Sequence, residues 1–550
     1  MIALIRAVAI TLLGGAVLST AADAQTDTSP PAVAITSPAP GATVSGTIAV
    51  TAGASDNVGV VGVQFRYNGA NFGAEATVAP YSVSADTTTV ANGSYTLAAV
   101  ARDAAGNVTI SAPVNITVAN TPPGSRSPKF IPTFLVYYGG GPPFTAADAP
   151  ALAKFDLIDV DRFRYADIGP TTWAAIKALN PASQIYLYEM GAEAPNFADA
   201  VAQLNLNGLG RYDVSRGHSM GSLNGNQPDL FLLDAAGNRI YNAGYSDAAG
   251  NRYWHLMDFG SAAYQAYWVE AVKSDIVDQP WAADGVHADN CLALPTFASY
   301  SAVPLRYGTN AAWSGAMNAF ASAITSSLHA YGQKLWCNRG ESRQADGTAA
   351  WLALDAATTP PDVVAEEGAF AVAWGSSSTQ FYPEADWRRQ LETIGAIRNS
   401  RVAVFSSTNL APGGSGTDNW GKPVTYWQTL WYALGSFLLG KYDFLNNAYF
   451  NFYGNGAALD RVWWYDEFDR IDLGRALGPY AVATFGATNI YWREFERGYV
   501  LINPTPDDVA SIVLPQPCRQ LTHDNLGSPP GDQVTAISLS GHSAAILLKG

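Results

Sequence analysis

Between residues 130 and 453 the chain carries eight short apolar runs, most of them separated by stretches of helical periodicity. The runs are 133–138, 155–161, 184–189, 285–289, 334–338, 363–367, 402–406 and 449–453. Helical stretches include 173–179, 262–277, 311–331, 385–398 and 424–438. A strand covered by helices on both faces reads as an unbroken apolar run. Eight such runs alternating with helices predict a closed parallel (β/α)8 barrel of the TIM type over residues 130–480, not an open sheet. Residues 192–254 are too many, and too rich in Gly, Asn and Asp, for a simple loop. They are expected to form an insertion over the barrel mouth.

The flanks have a different texture. Residues 1–24 read as a signal peptide: Arg6 in a positive n-region, an apolar stretch over 7–18, and Ala22-Asp23-Ala24 as a small-x-small cleavage site. A secreted protein, extracellular or periplasmic, is therefore expected. Residues 31–119 alternate in short β-like runs punctuated by Gly, Asn, Asp and Pro, which predicts an all-β sandwich of about seven strands. Residues 120–129 form a Pro/Ser/Gly linker, and residues 481–550 turn β-like again, as a small C-terminal β-sandwich.

Composition narrows the partners. The formal net charge of −15 repels phosphate backbones, which disfavours nucleic acid. Beyond the N-terminus no apolar run is long enough to span a bilayer, so no membrane span is expected in the mature chain. The 15 Trp, 27 Tyr and 22 Phe suit a carbohydrate partner, although most must serve the cores. Only three cysteines occur, Cys291, Cys337 and Cys518. The first two end adjacent predicted strands, where either a bridge or simple buried thiols would fit. No Cys/His spacing suggests zinc, His287 with Asp289 and Asn290 does not match a known cage, and no metal site or cofactor is expected, with a calcium in a loop as the open alternative. A monomer is expected.

Chemistry in such a barrel sits at the C-terminal strand ends. Those ends carry Asp159 and Asp161 (second strand), Glu189 and Glu193 (third), His287, Asp289 and Asn290 (fourth), Asn338 (fifth), and Glu366 and Glu367 (sixth). Alternation along a strand puts His287 with Asp289 on one face, and Ala365 with Glu367 on another. If both faces point inward, two carboxylates meet at the mouth. Glycosidic cleavage needs such a pair, one ionised and one holding a proton. Asp289 is the candidate nucleophile or base. Glu367 is the candidate acid, with Glu366 as its rival should a bulge reverse the strand. His287 is a candidate for binding a sugar hydroxyl. Trp254, Trp374 and Trp420 are candidate stacking platforms, though core packing is the commoner role for each.

Two resemblances accompany this reading. The N-terminal segment resembles bacterial immunoglobulin-like modules of secreted enzymes, through Ser37-Pro38, Pro40-Gly41, Asp56-Asn57-Val58-Gly59-Val60 and Ala101-Arg102-Asp103-Ala104-Ala105-Gly106-Asn107. With no Trp in this segment, a spacer is the favoured role. The blocks His255-Leu256-Met257-Asp258-Phe259, Asp284-Gly285-Val286-His287-Ala288-Asp289-Asn290, Trp336-Cys337-Asn338 and Val363-Val364-Ala365-Glu366-Glu367-Gly368 resemble the hypothetical glycosyl hydrolases of TIM-barrel type and the related α-galactosaminidase-like barrels. That resemblance implies a catalytic Asp after the fourth strand and a catalytic Glu after the sixth, in the order of retaining α-glycosidases. It places Asp161, Asp258 and Asn338 near the substrate. The doubled Glu366-Glu367 departs from the pattern. The competing reading is a non-catalytic carbohydrate-binding protein on a degenerate barrel. A serine hydrolase is disfavoured, because no Gly-x-Ser-x-Gly elbow follows a strand.

Overall fold

The computed structural model describes residues 27–550, except 45, 88–89, 91–92, 119–128, 139–141, 196–229, 244–253, 280–282, 296, 374–377, 441–447, 456–457 and 527–531. The expected signal peptide, nearly all of the expected linker, most of the expected insertion, and Trp374 lie outside the described residues.

Most of residues 27–116 form a compact unit of their own. It is all β, as expected. One sheet has three strands, Ala32–Ser37, Thr47–Ser55 and Tyr81–Asp86; the other is built around Val60–Tyr67 and Gly93–Asp103, paired antiparallel. Alternate residues of the strand Gly93–Asp103 are buried, and Val63, Phe65, Leu97 and Ala99 fill its core.

The central sheet has eight parallel strands in sequential order. They are β1 Phe134–Tyr137, β2 Leu157–Asp161, β3 Gln184–Met190, β4 Gly285–Asp289, β5 Lys334–Asn338, β6 Val363–Glu367, β7 Arg401–Ser407 and β8 Ala448–Tyr453. A parallel bridge between Thr133 and Phe450, with Phe450 N–H donating to the Pro132 carbonyl at 2.9 Å, closes the last strand on the first. The longer helices are α1 Pro170–Leu179, α2 Ala262–Val272, α3 Asn310–Ala330, α4 Ala345–Asp355, α5 Glu384–Ala396 and α6 Tyr426–Gly440. Their starts follow local chemistry. Ser261 and Thr309 cap α2 and α3 by accepting from the Tyr264 and Ala312 amides. Pro170 opens α1, where a missing N–H costs nothing.

The lower ends of three strands are riveted in one way. The aspartate just before β2, β4 or β6 accepts a backbone N–H from the preceding strand region: Asp156 from Thr133 (2.8 Å), Asp284 from Ile185 (2.8 Å) and Asp362 from Leu335 (2.9 Å). Lys129, Lys177 and His329 respectively contact the same carboxylates. Asp284 and Asp362, which open the two strands with candidate catalytic ends, are thus structural.

Beyond the barrel lies one antiparallel sheet of six strands: β9 Ala481–Phe485, β10 Thr488–Glu494, β11 Gly498–Asn503, β12 Val509–Leu521, β13 Gln533–Leu539 and β14 Ser543–Lys549, ordered β9-β10-β11-β14-β12-β13. The two-residue period gives it two apolar faces. Val500, Ile502 and Ile546 join the barrel core, whereas Tyr499, Leu501 and Leu547 form a second core with Val509, Ile512, Leu514 and Ile537. Gly435 permits the close approach of α6: a Cβ there would lie 2.5 Å from Ile502 Cδ1 and 2.9 Å from Ala544 Cβ.

Candidate active site

The alternation of the barrel strands decides what faces the interior. His287 and Asp289 from β4, Trp336 and Asn338 from β5, Ala365 and Glu367 from β6, Tyr188 from β3, Phe134 and Val136 from β1, and Phe405 from β7 line one cavity, with Tyr138 and Leu459. About 380 Å³ of space, part of it open to solvent, lies among these residues. No lysine or arginine is among its lining residues. Gly285, at the start of β4, leaves room for the Tyr186 ring, which a Cβ would meet at 2.7 Å.

Asn338 stands between the two candidate carboxylates. Its Nδ2 donates to Asp289 Oδ1 at 2.9 Å and to Glu367 Oε2 at 2.5 Å. The two oxygens are therefore no further apart than those two bonds laid end to end. Asp289 also accepts from its neighbour's amide, Asn290 N, at 2.7 Å and from the Tyr188 hydroxyl. Three donors from three strand regions thus fix its orientation.

Glu367 is open to the cavity but crowded by the barrel wall on its other sides. That crowding is the largest influence on its carboxyl and, with the charge of Asp289, pushes its pKa up to about 7; the Asn338 hydrogen bond opposes the rise. Water reaching the open face moderates the effect of burial but leaves the neighbouring charge in place.

A second polar group forms the cavity's other side. His287 Nδ1 lies 2.5 Å from Asp159 Oδ2, and both side chains are buried. The Tyr138 hydroxyl donates to the same Asp159 oxygen and lies 3.1 Å from His287 Nδ1. Burial disfavours the charged ring, but Asp159, Asp289 and Glu367 outweigh it, so the His287 pKa is raised. The ring stacks on Trp336 with centroids 4.8 Å apart. Its Nε2 is buried with no hydrogen-bond partner among the described residues.

Of the other expected residues, several lie away from the cavity wall. Glu366, the rival acid, is fully buried on the opposite face of β6, where it accepts from Ser342 N at 2.9 Å. No bulge reverses the strand: Val363 through Glu367 pair with β7 in continuous register. Glu189 also faces outward, because Tyr188 and Met190 on either side point in. Asp161 is buried above Asp159 but does not line the cavity. Asp258 is held by Arg306 and by the Tyr307 hydroxyl (2.9 Å), a structural contact. Trp254 is buried against Tyr188 and Met190 and so presents no open platform. Trp420 is 43 % exposed, beside His542. Asn290 takes a left-handed backbone (φ 55°) and hydrogen-bonds Glu193. The thiols of Cys291 and Cys337 are buried, unbridged and in hydrogen-bonding contact.

Four residues of the site are given no role by the sequence: Tyr138, Asp159, Tyr188 and Glu193, of which Asp159 and Glu193 stand out only as polar residues at strand ends. The two-residue period would have found the second and third, because Asp159 leads Asp161 by one period and Tyr188 pairs in register with His287. Glu193 is buried beside the mouth, bonded to Asn242, Tyr300 and Asn290, and burial pushes its pKa up to about 7. Its strand partner is the segment Trp254–Leu256, more than fifty residues on, and no local pattern announces that pairing.

The barrel belongs to the class of carbohydrate-active enzymes. Residues 177–499 match the hypothetical glycosyl hydrolase family 15, more than half of the chain, and the protein is a member of that family. Residues 31–99 match a bacterial Ig domain. No curated protein matches the chain. Among solved structures, it is similar to the α-glucosyl transfer enzyme XgtA, at 11% identity over 77% of this chain and 99% of that one, with a TM-score of 0.43. It is also similar to the trehalulose synthase MutB from Pseudomonas mesoacidophila MX-45, at 10% identity over 78% and 100%, TM-score 0.42. The fibronectin(III)-like modules of Clostridium thermocellum CbhA match 16% of this chain and 94% of theirs at 27% identity, TM-score 0.15. Likenesses this distant do not bear on the reaction.

Proposed function

We propose that the protein is a secreted glycoside hydrolase that cleaves O-glycosidic bonds of an oligo- or polysaccharide with retention of configuration, through Asp289 as nucleophile and Glu367 as acid and base. The observation that carries this reading is the single amide nitrogen of Asn338 shared by both carboxylates. Retaining enzymes hold their two carboxyl groups about 5–5.5 Å apart, whereas inverting ones need roughly 6.5–9.5 Å to admit a water. Two carboxylates on one donor suit the shorter span.

In the first step Asp289 attacks the anomeric carbon, and the bond to the leaving oxygen breaks as that oxygen takes the proton of Glu367. In the second, Glu367 removes a proton from water, whose oxygen displaces Asp289 and releases the sugar. The charge of Asp289 helps to hold the proton on Glu367. Once Asp289 is esterified that charge is gone, the Glu367 pKa falls, and the same group becomes a base. His287 Nε2 is read as the binder of a sugar hydroxyl, and the half-buried Tyr138 ring as the apolar surface for a sugar. The terminal sheet, with a core on each face, is read as the small β-sandwich after the barrel. The Ig-like unit is read as a spacer.

The test is a screen of purified protein on polysaccharides and aryl glycosides, repeated with Asp289→Asn and Glu367→Gln. Each variant should fold and lose activity by several orders of magnitude, and the wild-type product should keep its anomeric configuration by NMR. Hydrolysis that survives both substitutions removes these residues from the mechanism. Sugar retention without cleavage by wild type would favour a binding protein.

A further inference from the structure

The N-terminal unit holds a cluster of three carboxylates that the barrel chemistry does not use. Asp27 precedes the first strand, Asp56 sits in the turn between the strands Thr47–Ser55 and Val60–Tyr67, and Asp103 ends the strand Gly93–Asp103. One oxygen from each lies within 4.8 Å of the other two. Among the described residues no lysine, arginine or histidine forms an ion pair with any of them.

The hydrogen bonding around the cluster is one-sided. Asp27 Oδ1 accepts from Ser29 N (3.0 Å) and Asn57 Nδ2 (3.1 Å). Asp56 Oδ2 accepts from Val58 N and Gly59 N, both at 2.9 Å. Asn107 donates to Asp103 from its backbone (2.9 Å) and its side chain (2.7 Å), and Asp103 is only 2% exposed. The remaining oxygens, Asp27 Oδ2 and Asp56 Oδ1, are shielded from solvent and have no donor among the described residues. Three like charges brought together, with two buried oxygens left unpartnered, are costly unless a cation completes them.

We infer that Asp27, Asp56 and Asp103 bind a calcium ion in the Ig-like unit. The donor set is all oxygen, as a hard cation requires. Calcium–oxygen distances of about 2.3–2.6 Å place opposed ligands roughly 4.6–5.2 Å apart, a spread that accommodates the observed spacing. Magnesium demands near-ideal octahedral geometry at about 2.0–2.1 Å and keeps several of its waters, which suits a cage of protein oxygens less well than calcium's flexible coordination does. The ion would join the segment before the first strand to two turns of the sandwich. No local sequence pattern announces the site, because its ligands come from three separated turns. Calcium binding here is independent of the proposed hydrolase activity.

The experiment uses the full-length protein after treatment with EDTA. Calcium chloride titrated by calorimetry should bind, and the thermal transition of the Ig-like unit should rise by several degrees with calcium and less with magnesium. Asp56→Asn should abolish both effects without altering the unfolding of the barrel. If Asp103→Asn fails to fold because its bonds to Asn107 are lost, Asp27→Asn serves as the second variant. No calcium-dependent heat or shift in the wild type would overturn the site. So would an unchanged titration in Asp56→Asn and Asp27→Asn, and magnesium equal to calcium would overturn the choice of ion.

Discussion

Asp289 and Glu367 draw on one hydrogen-bond donor, the side-chain nitrogen of Asn338, which reaches the first at 2.9 Å and the second at 2.5 Å. An alanine at 338 would leave the two acids facing each other with no donor between. Asn338→Ala is expected to lower kcat by about 10²–10³-fold, the usual cost of losing a preorganised donor at a reacting group. The direction of its pH effect follows from the site. The Asn338 hydrogen bond pulls the Glu367 pKa down, so its loss lets burial and the charge of Asp289 push further up. The alkaline limb of kcat/KM should therefore move to higher pH in the variant, which a pH–rate profile reads directly.

In the wild type that limb should lie near pH 7, because Glu367 is pushed up to about 7 and must hold its proton to act as an acid. Activity should fall as the pH rises through that value. A profile flat from pH 6 to 9 would take Glu367 out of the acid role.

His287 is tied to Asp159 at one ring nitrogen, and the other has no hydrogen-bond partner among the described residues. If that second nitrogen binds a sugar hydroxyl, His287→Ala should cost about 10–100-fold in kcat/KM, the loss of one hydrogen bond to a charged group. Asp159→Asn should cost part of the same amount, and the double variant little more than His287→Ala alone, since Asp159 acts through His287. Additive losses would mean that the two residues work separately.

Glu366 gives a prediction about stability. It is fully buried, and burial pushes its pKa from the ordinary 4.5 up to about 7. The folded state then holds the proton more tightly than the unfolded one. The resulting stabilisation is complete below pH 4.5 and is lost as the pH rises through 7. Glu366→Gln, which keeps an acceptor for Ser342 N, should leave stability at pH 5 nearly unchanged and raise it at pH 8 by on the order of 3 kcal/mol. Denaturant melts of the two proteins at both pH values check this.

The barrel was legible because its signal is repeated. Each of the eight strands falls within two residues of the expected span, since parallel strands must be apolar on both faces. Helix α4 was not anticipated: Gly347 and Thr348 weaken its propensity, and its buried positions stand out little from the rest of the segment. The carboxylate pair was legible from alternation alone, as His287, Asp289 and Glu367 demonstrate. Glu189 stands out in the sequence as a polar residue at the end of β3, without that rule; applied there in register with His287, the rule selects Tyr188. Asp258 was drawn in by resemblance, and its contacts with Arg306 and Tyr307 depend on a segment nearly fifty residues away that no periodicity connects to it.

The aspartate rivets below β2, β4 and β6 separate two duties along the same strands. Integrity is secured at the floor, by Asp156, Asp284 and Asp362, while the carboxylates proposed to react stand at the rim. Segments at the rim could therefore be exchanged, by evolution or by grafting, to suit a new glycan while the footing of the barrel stays as it is.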